Sequence, residues 1–73
     1  MTNEFFIATN VSFGTLVRLE RIRRGWRQID LAKRAGVTQA EVSALERGLY
    51  VIPSARRRIL AVLGLLDDDH ESA

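Results

Sequence analysis

Residues 28–47 read QIDLAKRAGVTQAEVSALER and carry the strongest structural signal in this 73-residue chain. Small and apolar residues recur at helical spacing on both sides of a break at Gly36. They are Leu31, Ala32 and Ala35 before the break, and Val42 and Leu45 after it. Two short helices that cross steeply need a small residue where they touch, and Ala32 meets that need. Gly36 can adopt a positive φ at little steric cost, so we predict a tight turn between the two helices.

The residues before this pair predict a first helix and the start of a second. Ser12 is expected to cap a helix that runs to about Arg24 and stops at Gly25. Its predicted apolar stripe consists of Phe13, Leu16, Val17 and Ile22. The second helix is expected to span about residues 28–35.

The residues after Gly36 predict two more helices. Thr38 and Glu41 form a capping-box pattern, so a third helix should run from Gln39 to near Arg47. Pro53 marks the start of a fourth helix, which should end before Gly64. Its predicted apolar face consists of Ile59, Leu60 and Leu63. We therefore expect a compact all-α domain of four helices, with a fifth left open.

Charge is distributed unevenly along the chain. All eleven basic side chains, ten of them arginine, lie in residues 12–66 beside four carboxylates, which gives that segment a net charge of +7. Four carboxylates in residues 67–73 and Glu4 bring the total to +2. This division predicts an N-terminal extension over 1–11, a basic domain over 12–66 and a mobile acidic tail over 67–73. Because the guanidinium fork suits phosphate, the basic domain is expected to bind a polyanion.

Composition argues against other classes of protein. The chain has no cysteine, which fits a reducing interior, so a cytoplasmic location is expected. The apolar run at residues 5–8 is far shorter than the roughly 20 residues of a membrane span, so no membrane partner is expected. His70 is the only histidine, and Asp67–Asp69 lack a rigid cage for a cation. We therefore expect neither catalysis, nor a bound metal, nor a cofactor.

Five motifs together have a recognisable spacing. They are Gly25-Trp26-Arg27-Gln28, Leu31-Ala32, Ala35-Gly36-Val37-Thr38-Gln39, Val42-Ser43 and Leu45-Glu46-Arg47-Gly48. The combination resembles the lambdoid phage repressor and Cro (Xre-like) helix-turn-helix family, over about residues 13–65. The resemblance implies a sequence-specific regulator of transcription, a repressor that binds double-stranded DNA at the nucleoid. One short helix reads few base pairs, so we also expect a homodimer on a palindromic operator.

The third helix would enter the major groove. Its outward side, by helical angle, carries the residues that the family uses to read bases, here Gln39, Ala40, Ser43 and Ala44. The Gln39 amide can donate and accept, which matches the N6 and N7 edge of adenine. The two alanines offer methyl groups that suit a thymine methyl.

A second set of residues is expected to bind DNA phosphates. It consists of Arg27, Gln28, Arg47, Tyr50, Ser54 and Arg56. The resemblance implies that Gln28 grips a phosphate and braces Gln39. Arg27 stands at the N-cap of the second helix, where arginine is a poor cap, so we assign it to the DNA backbone. For Arg56, a merely solvated side chain is an equal alternative.

Glu46 shares the inner side of the third helix, where an unpaired carboxylate would be costly. It therefore needs a cation. The resemblance implies an ion pair with Arg21 that locks the third helix against the first.

The chain departs from the family after the fourth helix, where it turns acidic instead of forming a fifth. We expect uncovered apolar surface around Ile59 and Leu63. Residues 5–7 are candidates to cover this surface. They could fold back on the same copy, or they could belong to a strand within residues 4–9 that pairs across a twofold axis. A competing function is that of an antitoxin or anti-repressor, an adaptor on the same fold that binds a protein partner through this N-terminal segment.

Overall fold

The computed structural model of this chain describes residues 12–65. Within that range the helices are α1 (Phe13–Arg23), α2 (Gln28–Ala35), α3 (Gln39–Glu46) and α4 (Pro53–Val62). No strand occurs in the described part, so the all-α prediction with four helices is confirmed. None of these four helices is long and apolar enough to cross a membrane. The strand considered within residues 4–9 and the acidic tail at 67–73 lie outside the described residues.

Side-chain caps fix where α1 and α3 begin. Ser12 Oγ accepts a hydrogen bond from Thr15 N at 3.1 Å. Thr38 Oγ1 accepts from Glu41 N at 3.0 Å, and Glu41 Oε1 accepts from Thr38 N at 2.9 Å. These bonds satisfy backbone N–H groups that have no partner inside a helix. The predicted starts of α1 and α3 are confirmed.

The core lies where the four helices meet. Val17, Leu31, Val42 and Ile59, one from each helix, are completely buried. Ala32 is 1 % exposed on α2, which packs against both α3 and α4. A larger side chain there would push the helices apart, in agreement with the need for a small residue.

Gly36 redirects the chain between α2 and α3. Its φ of 71° and ψ of 35° lie in the left-handed region, and its N–H donates to the Ala32 carbonyl. Val37 N donates to the same carbonyl at 3.0 Å, which closes the end of α2. Since an L side chain is strained in this conformation, glycine is needed here, as predicted.

The predicted apolar stripe of α1 is wrong at two positions. Phe13 is 40 % exposed and Ile22 is 54 % exposed. Val17 is completely buried as predicted, and Gly14 and Arg21 share the inward side of α1 with it. A close backbone approach and a charged pair therefore contribute to this side of the helix beside the apolar contact of Val17.

At the end of α4, the two residues around which we expected apolar surface in need of cover are not exposed. Ile59 is completely buried and Leu63 is 2 % exposed. The turn after α1 helps to close this end, because Arg24 Nη2 donates to the Leu63 carbonyl at 3.2 Å. Trp26 packs against the same core.

Candidate nucleic-acid interface

The helix α3 has one side in the core and its N-terminal end in solvent. Val42, Leu45 and Glu46 on the inner side are 0 %, 6 % and 9 % exposed. Gln39 and Ala40, at the start of the helix, are exposed. The first turn of α3 is therefore available for contact with a partner while the last turn anchors the helix.

The other two candidate base-reading residues are less open than the helical angle predicts. Ser43 and Ala44 are half-buried, and Ala44 packs against the core. The chain folds back after α3, and Leu49 N donates to the Ala44 carbonyl at 2.9 Å. Of the four candidate base-reading residues, only Gln39 and Ala40 are exposed.

A buried carboxylate joins α1, α2 and α3. The Glu46 side chain is 2 % exposed, and Arg21 donates to both of its oxygens from Nε and Nη2. Arg21 Nη1 also donates to the Trp26 carbonyl at 2.8 Å. Gln28 Nε2 donates to Glu46 Oε1 at 3.0 Å. The Arg21–Glu46 pair is thus present, and it also holds the first residue of α2.

Gln28 therefore has a partner that the sequence did not indicate. The resemblance implied a brace to Gln39, but within residues 12–65 the side chain of Gln28 bonds to Glu46 and not to Gln39. Because a carboxylate only accepts hydrogen bonds, it fixes which end of the amide turns inward. The second N–H and the carbonyl oxygen of Gln28 remain for another partner.

Arg27 stands at the N-cap of α2, and its backbone N–H is bound by a carboxylate three residues later. Asp30 Oδ2 accepts from Arg27 N at 2.8 Å. The same carboxylate binds the Arg27 guanidinium at 3.0 and 3.1 Å. Arg27 itself makes no side-chain cap, as expected from the sequence, and Asp30 adds the bond to the backbone N–H of the N-cap residue. The Arg27 side chain is 78 % exposed, so it stays accessible to an anion.

The pairing with Arg27 gives a prediction for Asp30. Side-chain and then backbone hydrogen bonds from Arg27 lower the pKa of the Asp30 carboxyl from 3.8 to about 2. Because the pKa is lowered in the folded state, the pairing of Asp30 with Arg27 stabilises the fold fully above pH 4. This contribution to stability is lost as the pH falls through about 2. NMR titration of the side-chain carboxyl should find that midpoint, and Arg27→Gln should raise it. An ordinary midpoint in the unmodified protein would contradict the pairing.

Five arginines have no carboxylate partner within residues 12–65, and all of them except Arg34 on α2 lie after the last residue of α3. Arg47 is exposed, and the only hydrogen bond of its side chain in that range is a long one of 3.4 Å from Nε to the Ser43 carbonyl. The exposed Arg56 lies over the Phe13 ring at 5.1 Å. These two guanidinium groups are free to bind phosphate.

The start of α4 offers backbone donors beside them. Ile52 makes no side-chain cap, and Pro53 occupies the first turn. The N–H groups of Ser54 and its neighbour Ala55 therefore lie at the positive end of the helix dipole, and the N-cap side chain does not bond to them. Tyr50, in the preceding loop, is 79 % exposed. Such an arrangement is typical of sites where phosphate oxygens bind.

A family model described as a helix-turn-helix domain matches residues 12–73. The chain belongs to the helix-turn-helix domain family. No curated protein and no solved structure matches the chain.

In a helix-turn-helix motif the second helix lies in the major groove and the first crosses the DNA backbone. Here α2, the turn at Gly36 and α3 form that motif. Family membership therefore indicates a DNA-binding regulator.

The helix-turn-helix motif rests on α1 through Gly14, a contact that the sequence analysis missed. A Cβ atom at this position would lie 2.5 Å from the Glu46 carbonyl oxygen and 2.7 Å from that of Leu45. The first turn of α1 is thus packed directly on the backbone at the end of α3. A glycine inside the first turn of a predicted helix was the available signal.

Proposed function

We propose that this protein is a repressor of the lambdoid repressor and Cro (Xre-like) type that acts on a DNA operator at the nucleoid, in the cytoplasm. The observation that carries the proposal is the exposed Gln39–Ala40 end of α3. That end is held in a fixed position because Glu46, at the other end of the helix, is buried and paired with Arg21. A rigid reading edge is what sequence discrimination requires.

Base recognition would be carried mainly by Gln39, whose amide matches adenine in the major groove. Ala40 would contact a thymine methyl group. Ser43 and Ala44, being half-buried, would contribute at the edge of this contact.

Phosphate contacts would surround the reading edge on both sides. Arg27 and Gln28 lie on the α2 side. Arg47, Tyr50, Ser54 and Arg56 lie on the other side, from the end of α3 to the start of α4. Contacts of this kind position the protein but carry no sequence information themselves.

A homodimer on a palindromic operator fits the size of the reading edge. Of the eight residues of α3, only Gln39 and Ala40 are exposed, so one copy would read few base pairs. Two copies on half-sites about one helical turn apart would double the sequence read. The length of the DNA protected in a footprint measures this directly, because a single bound copy protects only one half-site.

The experiment that tests the proposal is binding-site selection from random DNA, followed by the variant Gln39→Ala. The unmodified protein should select one sequence. The variant should lose preference at one adenine by about 1–3 kcal/mol, because its bidentate contact is gone. Thermal unfolding should stay unchanged, since Gln39 is exposed.

The matched control is Arg47→Gln, which removes a phosphate contact instead of a base contact. It should weaken binding to all sequences alike and leave the selected sequence unchanged. Failure of the unmodified protein to select any sequence would refute the proposal.

An adaptor function is the second candidate, and exposed apolar residues favour it. Leu19 and Ile22 on α1 are 52 % and 54 % exposed. An antitoxin or anti-repressor would use such a surface to bind a protein partner. In that case Gln39→Ala would leave biological activity intact.

A further inference from the structure

Arg18 lies beside the carboxylate that joins the three helices. Its Nε is 3.9 Å from Glu46 Oε1, and its side chain is 59 % exposed. The same oxygen accepts the hydrogen bond from Gln28 Nε2 at 3.0 Å. The two nitrogens can therefore be no farther apart than the sum of those distances, about 7 Å.

The local charge is positive despite the carboxylate. Glu46 carries one negative charge, and Arg21 already pairs with both of its oxygens. Arg18 adds a second positive charge that this pair does not neutralise. Its guanidinium reaches solvent, and Gln28 retains a second N–H that Glu46 does not occupy.

We propose that Arg18 and Gln28 together clamp one phosphate of the DNA backbone between α1 and α2, with Glu46 as their shared anchor. The inference rests on the proposed DNA-binding function and adds α1 to the contact surface. A phosphate whose oxygens each accept a bond of about 2.8 Å can bridge two donors at this spacing. Arg18 would supply a positive charge, and the Gln28 amide, oriented by its bond to Glu46, would donate a hydrogen bond of defined direction.

The test compares Arg18→Gln with Arg23→Gln on the sequence selected by the unmodified protein. Both arginines are exposed side chains on α1, and Arg23 pairs with Glu20. We expect Arg18→Gln to weaken binding about tenfold and to make the slope of log K against log salt less steep by about 0.9. Arg23→Gln should leave the slope unchanged, and Arg18→Lys should restore most of it.

A double variant tests whether the two donors share one phosphate. Combining Arg18→Gln with Gln28→Ala should weaken binding by less than the product of the two single effects. Independent effects of the two changes would overturn the clamp, as would equal slopes for the Arg18 and Arg23 variants. Circular dichroism should show that each variant is folded. If the unmodified protein binds DNA without any salt dependence, the proposed function fails first and the clamp fails with it.

Discussion

Replacing Glu46 by leucine is expected to lower the free energy of unfolding by about 3–4 kcal/mol. The substitution leaves the Arg21 guanidinium, whose side chain is 12 % exposed, without its anion. It also removes the acceptor for the Gln28 amide. A domain of this size has only a few kcal/mol of stability, so much of the variant should be unfolded at 25 °C.

Removing the charges of both Arg21 and Glu46 should lower the free energy of unfolding by less than removing the charge of Glu46 alone. In the double variant Arg21→Met with Glu46→Leu, no charge is left buried without a partner, and two apolar side chains can pack together. The double variant should therefore be more stable than Glu46→Leu alone. Arg21→Met has a further cost, because the Trp26 carbonyl loses its donor, and the double-mutant cycle separates that cost from the pair itself.

Urea unfolding of the four proteins, followed by circular dichroism, measures the coupling. The control is the exposed pair of Arg23 with Glu20, whose side chains are 70 % and 23 % exposed. The cycle of Arg23→Met with Glu20→Leu should give a coupling of about 0.5 kcal/mol or less. Equal couplings in the two cycles would show that burial of Glu46 adds nothing to its pair.

Local chemistry explains why most of the fold could be predicted from the sequence. Ser12, Thr38 and Gly36 each act within a few residues of their own position, so spacing alone identifies their roles. The apolar residues of α2, α3 and α4 follow helical periodicity, and they are buried. Periodicity was insufficient for α1, because part of its inward side is not apolar.

The candidate site could be predicted only in part, since several of its contacts join residues distant in the chain. Nothing near Gln28 indicates that its amide binds Glu46, eighteen positions later. The bond from the backbone N–H of Arg27 to Asp30 was missed for a different reason. Asp30 follows Arg27 at the spacing of a capping box, but that pattern ordinarily begins with serine or threonine and not with arginine. The base-reading and phosphate-binding roles stay predictions.

Replacing Gly14 by alanine is expected to destabilise the domain by about 2–3 kcal/mol, although the same change in an exposed helix would stabilise it. In a helix without close neighbours, alanine is favoured over glycine by about 1 kcal/mol. Here the added methyl group would lie 2.5 Å from the Glu46 carbonyl oxygen and 2.9 Å from its carbonyl carbon. These are backbone atoms, which cannot rotate away as a flexible side chain could. The helix α1 must therefore move off the end of α3.

The sign of the effect distinguishes a tight helix contact from an ordinary helical position. Urea unfolding should show a lower midpoint for Gly14→Ala, while Thr15→Ala, at the exposed neighbouring position, should change stability by about 0.5 kcal/mol or less. A higher midpoint for Gly14→Ala would mean that α1 does not rest on the α3 backbone. Moving α1 would also displace Arg21 from Glu46, so this variant should weaken DNA binding even where it remains folded. Gly14 thus connects the stability of the domain with the position of the proposed reading edge.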